Sequence, residues 1–234
     1  MKRPIILPAL LVAAMLPSIA HAQDEAVLEG WAEAPGVAPV GKSDRLYGKA
    51  DADFSLIVWL DLECPYCKML GQQPEHVVDG GHGRVNLAVR LYPLPFHGAN
   101  AVRAAQTALC VAEQAGSAGF YRFVDAWLAR TRGNGRGIPD DPAGAIAAAA
   151  GARNAKALTG CTSAKRTIDR LKADMELGDA AGIEGTPAIA LRDNRHGRTI
   201  MVGGALSDDD MRAALGALSR QDDAEARAAP GATR

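Results

Sequence analysis

Aromatic residues make up only 5% of this chain, and cysteine occurs just four times among its 234 residues. With so few large rings, the interior has to be filled by Leu, Val and Ala, which points to a helix-rich core. Lys and Arg total 26 against 27 for Asp and Glu. There is no basic excess to hold a phosphate backbone, so no nucleic-acid partner is indicated. Past residue 22 no apolar run approaches the roughly 20 residues a membrane-spanning helix needs. No internal repeat is present, which argues against solenoid and propeller architectures.

The first 22 residues have the pattern of a secretory signal. Lys2 and Arg3 form a basic start, Ile5 to Ile19 an apolar stretch, and Ala20-His21-Ala22 a small-x-small cleavage site. As a membrane anchor the stretch is short and is interrupted by Pro8 and Pro17, with Pro4 just before it. Cleavage would remove two basic residues, leaving 24 against 27 acidic, a net charge of −3. An exported chain meets an oxidising compartment, where disulfide chemistry is the default for cysteine pairs. The expected location is the periplasm.

Residues 23–45 carry Gly30, Pro35, Gly36, Pro39 and Gly41 and read as an irregular arm with room for a short helix. The apolar run 54–60 is the first strand. A helix opens at Pro65, and Pro74 should bend it or start a new segment. Residues 85–91 form a second strand, completing a βαβ unit whose strands should run parallel. Helices follow at 101–114, 120–130, 142–150 and 164–180, with a loop over 131–139. Strands at 188–191 and 199–202 flank a turn and read as a hairpin. Ser207 caps a last helix to about residue 219, and 221–234 reads as a disordered tail. The order is βαβ, a helical block, then ββα.

Cys64-Pro65-Tyr66-Cys67 follows the first strand directly. At a helix start, free backbone N–H groups and the helix dipole favour thiolate over thiol. Cys67, one turn on, lies within reach for a disulfide. The competing readings are a structural disulfide or half a zinc site, but no second closely spaced Cys/His pair completes such a site, and no metal is expected. Cys110 and Cys161 fall in the helical block. Their plain reading is a structural disulfide closing a loop of about 50 residues, worth ~4 kcal/mol in the chain-entropy model. A second redox pair and two free buried thiols remain open. Asp61 and Glu63, beside the motif, are candidates for proton transfer or simply surface acids, and His97 is either a packing residue or a neighbour of the site.

This order, with Cys64-Pro65-Tyr66-Cys67 at the first helix and Gly185-Thr186-Pro187 before the late strand, resembles the thioredoxin fold. More narrowly it resembles the DsbA family of exported thiol:disulfide oxidoreductases, which carry a helical insertion. Asp61-Leu62-Glu63-Cys64-Pro65-Tyr66-Cys67-Lys68 and Thr186-Pro187 are similar to the DsbG and DsbC branch, and Pro93-Leu94-Pro95-Phe96-His97 resembles the start of the insertion. The resemblance covers about residues 46–220 and implies an α/β thioredoxin-like fold (βαβ…ββα) with an all-helical insertion. The domain would comprise 46–98 and 183–220, with 99–182 inserted.

The resemblance further implies that Cys64 is an exposed nucleophile and Cys67 a buried resolving cysteine. It implies a cis Thr186-Pro187 bond in a loop facing the pair. Pro65, Tyr66, Thr186 and Pro187 would form the active-site loops, next to an apolar substrate groove. Partners would be proteins bearing thiols or disulfides and a membrane redox partner, and no cofactor is needed. Two departures stand out. The buried acid common six residues before the first cysteine is Val58 here. Only about 31 residues (23–53) precede the first strand, too few for the dimerisation domain of the DsbG and DsbC branch, so a monomer is expected.

Overall fold

The computed structural model describes residues 19–228. The expected signal segment, 1–22, lies almost wholly outside them. The central strand is β3 (Phe54–Leu60), seven residues with none exposed. Its side chains alternate between two apolar layers. Phe54, Leu56, Val58 and Leu60 enter the main core, while Ile57 and Trp59 enter a smaller cluster on the other face. Such a continuous apolar run is what a strand covered on both faces requires.

β3 pairs in parallel with β4 (Val85–Leu91) and antiparallel with β5 (Ala188–Asp193), which turns back into β6 (Thr199–Gly203). The crossover from β3 to β4 runs through α2 (Pro65–Leu70) and α3 (Gln73–Gly80). The break falls at Gly71 and Gln72, and Pro74 sits in the first turn of the second helix, so it starts a new segment, one of the two outcomes expected of it. Two short strands complete the sheet: β1 (Ala32–Glu33) on β6 and β2 (Leu46–Gly48) on β4. The order is β1-β6-β5-β3-β4-β2.

Between β4 and β5 come four helices, α4 (Gly98–Arg130), α5 (Ala143–Ala149), α6 (Ala155–Thr162) and α7 (Lys165–Ala180). The two helices expected at 101–114 and 120–130 are halves of α4, bent at Gly116 (φ 66°, ψ −170°). α6 was not expected. Asn154 starts it by accepting a hydrogen bond from the Ala157 N–H at 2.9 Å. Cys110 and Cys161 are joined by a disulfide that ties α4 to α6.

The arm 23–45 has the short helix it had room for, and past it one two-residue strand among turns. It contains the end of α1 (Ile19–Val27) and β1, and it covers the second face of the sheet through Ala34 and Val37. A buried ion pair holds it there. The Arg90 guanidinium donates to both oxygens of Asp44 at 3.1 Å and to the carbonyls of Ala38 and Pro39, and lies 5.4 Å over the Trp59 ring. On the same face α7 approaches closely at Gly178, where a Cβ would come within 2.6 Å of the Tyr92 ring.

At the outer edge of β4, Arg45 bonds Asp174 and the Val89 carbonyl. Asp174 accepts the Leu91 N–H, and the Tyr121 hydroxyl donates to the Leu87 carbonyl.

The last helix, α8 (Asp208–Ala228), extends well beyond residue 219, so 221–228 is helical rather than a disordered tail. The reason is tertiary: Asp222 is buried and accepts from Arg198, and Arg220 pairs with Asp24. Residues 229–234 lie outside the described residues.

Candidate active site

Cys64 is the residue that begins α2, with extended backbone (φ −82°, ψ 126°), and Pro65 follows in the first turn. A proline there gives up an N–H that the helix does not use, and its fixed φ suits the turn. The Cys64 carbonyl accepts from Lys68, and the Cys64 N–H donates to the Asp61 carbonyl, both at 3.1 Å. Across the cleft the Thr186-Pro187 bond is cis. The Cys64 thiol donates to the Thr186 carbonyl at 3.1 Å, so the strand-end loop and the β5 loop meet at the sulfur.

The two thiols are free and electrostatically unlike. Cys64 is drawn down to about 5, first by the hydrogen bond from the Cys67 thiol. The backbone N–H groups of Cys67 and Tyr66 add to this, outweighing burial. Cys67 is fully buried, and burial pushes its thiol well above the usual range, with the Cys64 hydrogen bond and charge in support. The expectation of an exposed Cys64 is corrected: the residue is 4% accessible. The Thr186 carbonyl lies 3.1 Å from its sulfur, and large apolar side chains of the neighbouring segments are exposed. Tyr66 is 60%, Met69 68% and Phe96 76% accessible.

Asp61 and Glu63 are not surface acids either. Both are buried, and each organises a loop. One oxygen of Asp61 accepts the Glu63 N–H at 2.7 Å; the other accepts the Leu94 N–H at 2.7 Å and meets His97 Nδ1 at 2.6 Å. His97 is thus a neighbour of the site, packed under Phe96. One Glu63 oxygen accepts from the Trp127 indole at 3.0 Å and the Thr131 hydroxyl at 2.8 Å; the other accepts the Gly137 N–H at 2.8 Å. Val58 is fully buried among apolar residues, so the six-residues-before position offers no proton acceptor.

The loop 131–137, which in the sequence carried no signal beyond its glycines, forms a wall of the site. The Asn134 N–H donates to the Glu63 carbonyl at 2.6 Å, and the Lys68 ammonium donates to the Thr131 carbonyl at 2.9 Å. Gly135 (φ 72°) passes so near His97 that a Cβ would lie 2.5 Å from its carbonyl oxygen. Three alternate glycines following a helix end were the available clue.

Among the described residues, Asp193, His196 and Asp222 bring potential metal-ligand atoms within 4.8 Å of one another. Both oxygens of Asp193 are already engaged by Arg195 and His196. The group stands at the end of β5 opposite Thr186, away from the dithiol.

A family model described as thioredoxin matches residues 41–217. No match was found among curated protein sequences. The crystal structure of Pseudomonas aeruginosa DsbA2 is similar with a TM-score of 0.67 and 29% identity, over 78% of this chain and 98% of that one. A thioredoxin-like oxidoreductase from Silicibacter pomeroyi has a TM-score of 0.62 at 22% identity, over 78% and 94% of the two chains. For the thiol-disulfide exchange protein alpha-DsbA2 of Wolbachia pipientis the values are 0.61 and 16%, over 88% and 95%. These last two identities speak for the fold alone. With the family match spanning most of its length and the sheet interrupted by the same kind of helical insertion, the chain belongs to the thioredoxin family as a DsbA-like protein.

Proposed function

We propose that this protein is an exported thiol:disulfide oxidoreductase that exchanges disulfides with protein substrates through Cys64 and Cys67, without a cofactor. The observation that carries the reading is the inequality of the two thiols: Cys64 at the cleft with its thiol held near 5, Cys67 sealed behind it and held protonated. In the disulfide form, a substrate thiolate attacks the Cys64 sulfur. The Cys64–Cys67 bond breaks, Cys67 takes the electron pair and then a proton, and a mixed disulfide remains. A second substrate thiolate attacks the substrate sulfur and expels Cys64, which leaves readily because its pKa is low. The substrate is oxidised by two electrons and the protein is reduced.

A thiolate stable at neutral pH stabilises the reduced protein and makes its disulfide an oxidant. That favours the oxidase direction over reductase or isomerase. Tyr66, Met69 and Phe96 supply apolar surface for a substrate chain, and the Thr186-Pro187 loop supplies backbone groups beside the sulfur. The working protein is a periplasmic monomer, reoxidised by a membrane redox partner.

The test is single-turnover oxidation of a two-cysteine peptide by the oxidised mature chain. Cys64→Ser should abolish it, and Cys67→Ser, with Cys64 activated as a mixed disulfide, should hold a stable adduct with a one-cysteine version of the peptide, which has no second thiol to expel Cys64. A reduction potential near −120 mV supports the oxidase and one near −270 mV a reductant. Unchanged peptide oxidation by Cys64→Ser would end the proposal. Cell fractionation separates periplasmic from cytosolic protein.

A further inference from the structure

We infer that the rim of the dithiol selects thiol-bearing proteins whose cysteines are flanked by acidic residues; this rests on the oxidoreductase reading and names its substrate class. Three cations stand around the motif without a carboxylate partner. Lys68 lies one helical turn past Cys64, and its ammonium donates only to the Thr131 carbonyl. Arg136 donates to the carbonyls of Gly133 at 3.1 Å and Arg132 at 2.6 Å. Arg132 is exposed, and its side chain has no hydrogen-bond or ion-pair partner among the described residues. Elsewhere, exposed Arg84, Arg103 and Arg166 each hold an acid, Asp53, Asp141 and Glu113, while exposed Arg122 donates to the Ala150 carbonyl; what sets Lys68, Arg132 and Arg136 apart is their place beside the dithiol.

The position of these cations is set by contacts of their loop with the motif. The Asn134 N–H reaches the Glu63 carbonyl at 2.6 Å, and a Cβ on Gly133 would lie 3.3 Å from the Pro65 ring. Arg132 and Arg136 flank that contact in sequence. The two acids nearest the cysteines cannot neutralise them from the surface. Asp61 and Glu63 are buried, with their oxygens taken by backbone N–H groups, His97, Trp127 and Thr131. Glu184 is exposed but belongs to the loop leading into Thr186. A docking chain therefore meets apolar Tyr66, Met69 and Phe96 for adhesion and guanidinium and ammonium groups without a carboxylate partner on the Pro65 side for choice. Opposite charge at such a rim acts mainly on the rate of productive encounter and is weakened by salt.

The experiment uses the oxidised mature chain and three reduced two-cysteine peptides of equal length, with Asp/Glu, Ser or Lys beside the cysteines. Peptide disulfide formation is followed after acid quench at about 20 and 300 mM NaCl. The readout is the acidic-to-neutral rate ratio divided by the same ratio for Arg132→Ala, which cancels the effect of flanking charge on the peptide's own thiol. A normalised ratio of about three to ten at low salt, falling towards one at high salt and reversing in Arg132→Glu, supports the inference. A ratio that neither Arg132→Ala nor Arg132→Glu changes, or a preference for the Lys peptide that survives the same normalisation, overturns it. If no peptide is oxidised at all, the oxidoreductase reading fails and this inference fails with it; if all three are oxidised equally, only this inference fails.

Discussion

The indole Nε1 of Trp127 donates to Glu63 Oε1 across 3.0 Å, joining the residue before the dithiol to the last turn of a helix 64 positions further along the chain. With the Thr131 hydroxyl and the Gly137 N–H on the same carboxylate, it ties the redox loop to the inserted helices. Glu63→Ala would leave three buried donors without an acceptor. The expected loss is about 3 kcal/mol or more, read from urea denaturation. Glu63→Gln keeps one acceptor oxygen but opposes an N–H to an N–H at Gly137, and should lose about half as much. An alanine variant as stable as the parent would show the bridge to be incidental.

The unequal thiols predict a bend in the plot of reduction potential against pH. Below the Cys64 pKa of about 5, two protons accompany two electrons and the slope is about −59 mV per pH unit. Above it only Cys67 takes up a proton, and the slope halves to about −30 mV. Because Cys64 is depressed on folding, it stabilises the reduced fold fully above its ordinary value near 9. That stabilisation is lost as pH falls through about 5. Thiolate absorbance at 240 nm should titrate with the same midpoint. A single slope from pH 4 to 8 would contradict the assignment.

Removing the Cys110–Cys161 bridge should cost about 4 kcal/mol, since the bond restrains a loop of roughly 50 residues in the unfolded chain. Both sulfurs are buried beside the Thr167 hydroxyl, apart from the Cys64 cleft. The double variant Cys110→Ala/Cys161→Ala should unfold at lower denaturant while keeping the parent's rate of peptide oxidation. Loss of that rate in a still-folded variant would point to a relay role instead.

Glu75 sits 8% accessible on α3 with its Oε2 unpartnered. Burial, then the Asp125 charge, raises its pKa to about 7. A raised carboxyl binds its proton longer in the fold than in the unfolded chain, so its contribution is complete below about 4.5 and declines as pH rises to about 7. Glu75→Gln should flatten that decline and, at pH 8, stabilise the protein by about 1–3 kcal/mol. An unchanged stability curve would show that the charge is accommodated in the parent.

What could be read from the amino acids were the elements whose signals are local. The β3 run, the cysteines at its end, the β4 strand and the β5–β6 hairpin each announce themselves within about ten residues. The features that escaped depend on distant partners. The arm gives no sign of packing on the sheet until Arg90 is placed against Asp44, 46 positions earlier, and α8 seems to end at residue 219 until Arg198 meets Asp222. β1 and β2 are too short for any alternation to show. Asp61 and Glu63 read as surface charges because their acceptors are filled by groups from the 94–97 and 127–137 segments. The residues themselves located the dithiol, and the resemblance added the Thr186-Pro187 loop; the cover over Cys64 comes from tertiary packing.

The outer edge of β4 closes differently from most sheet margins. β2 pairs with only three of its residues, and Arg45, Asp174 and Tyr121 occupy the backbone groups at Val89, Leu91 and Leu87. The opposite margin ends on the two-residue β1. A second chain seeking to lengthen the sheet along β4 finds the Val89 and Leu87 carbonyls and the Leu91 N–H already taken, which disfavours strand addition at that margin. A sheet left open along that strand would otherwise offer any partly unfolded chain a surface on which to polymerise.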